Sequence, residues 1–151
     1  MKLYPSELIR GVANSKELNE EGKATVSLFV FRENPSRNDD NMELSINWCD
    51  DKEKALSIIM NQVKEDGSYQ FKAGAAVLSK EKIDLMKQSP VCSKEFDYER
   101  APLDNNEFHG NIICNKKLQR QKQTLDLIRS ILVLSVTSII SRKHNEIESV
   151  T

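Results

Sequence analysis

Residues 42 to 48, MELSINW, alternate so regularly that Leu44, Ile46 and Trp48 share one face of an extended chain, and Glu43, Ser45 and Asn47 the other. Such a segment is a strand buried on one side. Directly after it, Ala55, Leu56, Ile58, Ile59 and Val63 fall at the three-and-four spacing of a helix with one apolar stripe. The spacing predicts a helix over 51–63, stopped by EDGS at 65–68. Asp50 stands three residues before Glu53, the arrangement of a capping box.

The same two periods organise the rest of the chain. Around Leu8, Ile9, Val12 and Leu18 the spacing predicts short helical turns over 5–19, closed at Gly22. ATVSLFVF, 24–31, has apolar residues on both faces and predicts a central strand. RENPSRNDDN, 32–41, reads as a surface loop and the most mobile part of the chain. YQFKAGAAVL, 69–78, predicts a strand in which Gly74 admits a second backbone. SKEKIDLMKQ, 79–88, predicts a Ser-capped helix, which Pro90 prevents from continuing. FDYERAP and HGNIIC predict two further short strands. A long C-terminal helix is expected over about 118–142, from Leu125, Ile128, Leu132, Val136 and Ile139, with Arg142 and Lys143 at the negative end of its dipole.

These elements predict an α+β fold: a single domain over 1–143 with a mostly antiparallel or mixed sheet, two to three packed helices and the long C-terminal helix, then a polar tail over 144–151. Links between strands look too short for regular crossovers, which disfavours a doubly wound sheet. With 22 basic and 23 acidic residues the net charge is −1, so no global field draws the chain to nucleic acid or to an anionic membrane. The basic run NKKLQRQK, 116–122 with its preceding Asn, reads as a solvated helix start. The longest apolar run, ILVLSVTSII, is half of what spans a bilayer. Three cysteines without a paired motif fit a reducing cytoplasmic compartment.

No phosphate loop, nucleophile elbow or metal-ligand cluster occurs in the sequence, and no cofactor or metal is expected. The candidates are polar residues at strand ends. His109 in DNNEFHGNII is the first, as acid, base or phosphate donor, against a packing role beside an Asn-rich turn. Asn106 either makes that turn or orients the ring. Ser45 and Asn47 point into a cleft or into water. Glu99 and Arg100 serve as general base and anion clamp, or form a surface ion pair. Arg10, beside Gly11, is placed to hold a phosphate or carboxylate, or pairs with an internal acid. Asp50 and Asp51 side by side offer carboxylates to a divalent cation, against a capping box that explains Asp50 without one.

LIRGV, LFVF, ELSINW and NNEFHGNI, taken in order, resemble a pattern in small uncharacterised bacterial proteins found near mobile-element and defence genes. The lack of a catalytic constellation and the apolar C-terminal helix predict a small interaction or accessory protein, and the resemblance implies a component of a defence or toxin–antitoxin system. It would act through a protein partner or a second copy held by the C-terminal helix. Arg10, Ser45 and Glu99 also occur in the order that lines the dinucleotide cleft of ADP-ribosyltransferase-like folds. That similarity implies a nucleotide- or nucleic-acid-directed enzyme, although no aromatic-rich motif follows Ser45.

Overall fold

In the computed structural model, which describes residues 4–88 and 95–142, six strands form one sheet: β1 (Glu7–Val12), β2 (Asn41–Trp48), β3 (Gly74–Ser79), β4 (Phe96–Arg100), β5 (His109–Asn115) and β6 (Val136–Ser141). Their order is β4-β5-β2-β1-β3-β6, and every adjacent pair is antiparallel. Three helices, α1 (Lys52–Asn61), α2 (Lys80–Lys87) and α3 (Lys122–Leu134), complete an α+β fold.

Antiparallel neighbours do not imply hairpin connections here. β2 and β3 flank β1 and run in the same direction, so α1 carries the chain across β1. α2 and α3 likewise join strands that are not neighbours. The links that looked too short for crossovers are therefore crossovers, because each helix buries its stripe on the sheet that it spans.

Alternation along the strands divides the core in two. Leu8, Leu44, Ile46, Trp48, Leu78 and Ile112 face α2, α3 and a 3-10 turn at Val26–Leu28. Ile9, Ala75 and Val77 face α1 through Ala55 and Ile59. At a few tens of calories per Å² of apolar surface, burial of these side chains is the main stabilising term.

Four expected elements differ. Residues 7–12, expected to be helical, form the strand at the centre of the sheet: the apolar spacing of Leu8, Ile9 and Val12 also suits a chain buried on both faces. Residues 24–31 are not a strand. Both sides of β1 and of β2 are already paired, so this segment lies over the sheet, with Leu28 and Phe29 fully buried and Val26 and Val30 exposed. The strand expected over 69–78 begins only at Gly74, whose φ of 121° suits glycine.

The long C-terminal helix is also corrected. α3 ends at Leu134, and Val136–Ser141 is an edge strand paired with β3. Ser135 Oγ donates to the Ile131 carbonyl at 2.7 Å, at the point where β-branched residues take over. The stripe of α3 is covered by the chain's own core, with Ile128, Ile131 and Leu132 buried. Arg142 serves a different helix from the one expected: Nη2 donates to the Met60 carbonyl in the last turn of α1 at 2.6 Å, and Nε to the Phe71 carbonyl at 3.1 Å. The expected roles of Pro90, Lys143 and the polar tail over 144–151 fall outside the described residues.

Candidate functional site

β1 and β2 pair only at Leu8 with Trp48 and Ile9 with Asn47, whereas β1 and β3 pair along six residues. Beyond Ile9 the two strands separate. The gap is closed by Arg10, whose Nη1 donates to the Ser45 carbonyl at 2.8 Å and whose Nε donates to the Leu28 carbonyl at 2.9 Å. Burial lowers its pKa to about 10, opposed by the field of Glu17. Arg10 is thus a bridge between diverging strands, and two of its nitrogens are already committed to backbone. The close approach expected at Gly11 is made by the Phe71 ring, which a Cβ there would overlap.

Beside this split lies a cleft of about 230 Å³ walled by Arg10, Ser45, Asn47, Asn106 and His109, together with Gln62, Gln70 and Phe71. Five residues singled out in the sequence therefore meet in one place. The sheet register explains why: Asn47 is opposite His109, and Ser45 opposite Asn111, so all four side chains occupy one face. Ser45 and His109 are diagonal neighbours across the β2–β5 ladder, both lining the cleft.

His109 is held by its backbone and its ring. Its amide donates to the Asn106 carbonyl at 3.3 Å, and Nδ1 lies 2.8 Å from the Ala101 carbonyl. A carbonyl only accepts, so Nδ1 carries the proton, and in the neutral ring Nε2 is left as an acceptor. Asn106 makes the turn and supports the site together: Oδ1 accepts from the Phe108 amide at 3.2 Å, while Nδ2 donates to Asn47 Oδ1 at 2.8 Å. Asn47 Nδ2 in turn donates to the Ala55 carbonyl of α1 at 3.1 Å. Both asparagines are almost fully buried, so this chain of bonds fixes the turn against the helix.

Glu99 and Arg100 do not join the cleft, nor do they pair with each other, because adjacent strand residues point to opposite faces. Glu99 accepts from Arg37 in two bonds, at 2.6 and 2.9 Å, and from Asn111 Nδ2 at 2.7 Å. Arg100 forms a two-pronged pair with Asp50, at 2.9 and 2.8 Å. Asp50 is thereby removed from the expected capping box; the α1 cap is Asp51, which accepts from the Lys54 amide. The loop over 32–41 contributes Arg37, which also binds Asp39 and Glu43. Cys49 and Cys114 are pushed up to about 12 by burial, so neither thiol is an ionised nucleophile at neutral pH. Among the described residues no group of His, Cys, Asp or Glu has metal-site geometry.

Arg37, and then Asn111, hold the Glu99 carboxyl below its usual value of 4.5. The folded value is depressed, so the stability it brings is present above the unfolded value and is lost as pH falls through the folded one. Glu99→Gln is expected to unfold more easily at neutral pH and to show a flatter decline below about pH 4.5. Urea midpoints across the acid range measure this; a decline as steep as the parent's would remove Glu99 from the acid response.

Gln62, Gln70, Phe71, Arg37 and Asn111 carried no sequence signal. Gln62 follows the end of α1, Gln70 and Phe71 precede β3, and only the chain path brings them to the cleft. Asn111 lies on the same face of β5 as His109, and its Oδ1 is buried without a hydrogen bond. Comparison with family models, curated proteins and solved structures found no match for this chain. No helix among the described residues is long and apolar enough to cross a membrane.

Proposed function

We propose that this chain is a small acid–base enzyme that binds a polar substrate in the cleft beside the β1–β2 split, with His109 Nε2 as proton acceptor. The observation that carries this reading is the meeting of Arg10, Ser45, Asn47, Asn106 and His109 around one cavity. His109 supplies the imidazole, with Nδ1 held at the Ala101 carbonyl and Nε2 left as the acceptor. Ser45 is exposed on the same face and offers a hydroxyl to the substrate or to a water. Arg10 lends a positive field while its Nε and Nη1 hold the cleft open. The Asn47–Asn106 pair positions the turn that carries His109.

A second reading, an accessory protein that acts through a protein partner, is supported by apolar side chains left open beside the same cleft, Val63 at 56% exposure and Leu103 at 51%. Side-chain nitrogen spectra of His109, recorded while a fragment set of nucleosides, sugars and short amides is titrated, test the enzyme reading. A ligand that shifts Nε2 and the Gln62 and Gln70 amides, and that is lost in His109→Ala and Ser45→Ala without unfolding, is expected. Fragments that bind His109→Ala as well as the parent would sink the proposal.

A further inference from the structure

The 230 Å³ cleft is the middle of a longer groove. It shares Arg10, Ser45, Gln70 and Phe71 with a cavity of about 500 Å³ on one side, and Gln62, Gln70 and Leu103 with one of about 480 Å³ on the other. Gln70 lines all three. The three adjoining cavities together offer more room than a compact metabolite fills, which suits a segment of extended polymer.

The chemistry of the walls separates the polymers. Toward the 480 Å³ end the polar groups are the neutral amides Asn61, Gln62, Gln70 and Asn105, with Ile58, Val63 and Leu103 among them. Each amide presents both donors and an acceptor, the complement of a peptide bond. At the 500 Å³ end, Glu17, Glu33 and Glu43 face Arg10 and Arg32, and Glu43 is paired with Arg37 and Glu33 with Lys116, so no strong cationic excess lines it. Glu33 is exposed and has only a 3.7 Å ion pair with Lys116. A nucleic-acid strand would need a cationic excess along such a path, because phosphate contacts supply most of its affinity.

We infer that the groove binds an extended, uncharged or basic peptide segment across His109, with an apolar side chain against Val63 and Leu103 and a neutral or cationic one toward Glu33. The peptide's own N–H and C=O groups pair with the amide walls, and its side chains are read by the sockets at the two ends. This inference rests on the cleft being the functional site and names its substrate class.

A positional-scanning library of capped nonapeptides, labelled oligouridylate and free nucleotides are to be tested by fluorescence anisotropy on the full chain at low and at high salt. The expected result is peptide enrichment for an apolar residue at one end and Lys or Arg at the other. Binding should weaken about three- to tenfold in Leu103→Asp and, for basic-ended peptides, in Glu33→Lys, in line with charged rim contacts. Binding of uncharged peptides should also change little with salt, unlike nucleic-acid binding. Oligouridylate or a nucleotide bound more tightly than any peptide, and displaced by fragments from the cleft, would overturn the peptide inference while leaving the site intact. Peptides bound with no effect from Leu103→Asp or Glu33→Lys would overturn the placement. If no probe shifts any cleft resonance, the inference and the enzyme proposal both fail.

Discussion

Trp48→Ala is expected to lower stability by about 3–5 kcal/mol, the range for truncating a large buried aromatic. Small domains have about 5–15 kcal/mol in total, so this variant should be largely unfolded in moderate urea. Trp48 is fully buried at the end of β2, with its ring centroid 4.5 Å from that of Tyr4 and 5.6 Å from that of Tyr98. Its Nε1 donates to the Glu99 carbonyl at 3.2 Å, which joins β2 to β4 across β5. Between them Gly110 is the residue that makes room, since any Cβ there would overlap the Trp48 ring and the Glu99 carbonyl. Trp48→Phe keeps a buried aromatic ring but loses the N–H and the rest of the indole, so its loss should be smaller than that of Trp48→Ala. Equal urea midpoints for the two variants would show that the hydrogen bond, rather than the packing, matters.

Asn47→Ala is the second large effect, and it links the fold to the site. It removes the acceptor of Asn106 Nδ2 and a second donor to the Ala55 carbonyl, all in a nearly dry environment. Leaving a buried donor unpaired costs about 1–3 kcal/mol, to which the small cavity adds. Asn47→Asp should be worse at neutral pH, because one carboxylate oxygen would face the Ala55 carbonyl without a proton. The buried acid would have a raised pKa in the folded state, so its deficit should shrink as pH falls toward the unfolded value of about 3.9. Both variants should disturb the His109 ring resonances before global unfolding. A His109 spectrum unchanged in Asn47→Ala would show that the turn holds the ring without help from α1.

His109 illustrates how far local sequence reaches. The sequence placed it at the start of a strand after an Asn-rich turn, and both features are present: β5 begins at His109, and Asn106 bonds within the turn. It also placed Ser45 and Asn47 on one face of a strand, because a period of two is a local property of an extended chain. What those residues face was not legible, since the partner of Asn47 is 59 positions away in the sequence. Glu99 and Arg100 show the opposite outcome. Their adjacency suggested a pair or a shared site, and alternation sent each to a different partner, Arg37 and Asp50.

Elements whose period is unambiguous are legible locally: β2, α1, the Ser79-capped α2, and the short strands β4 and β5. The sequence also determined the α+β class, because two periods in mixed order leave few other ways to bury both kinds of face. Only the tertiary structure decided between helix and strand at residues 7–12 and 136–141, where the apolar spacing fits either state. β1 is extended because it has partners on both sides, and β6 because it has one edge to pair with. The cleft, too, is tertiary in origin: it exists where β1 and β2 part company, and a two-residue ladder cannot be read from either strand alone.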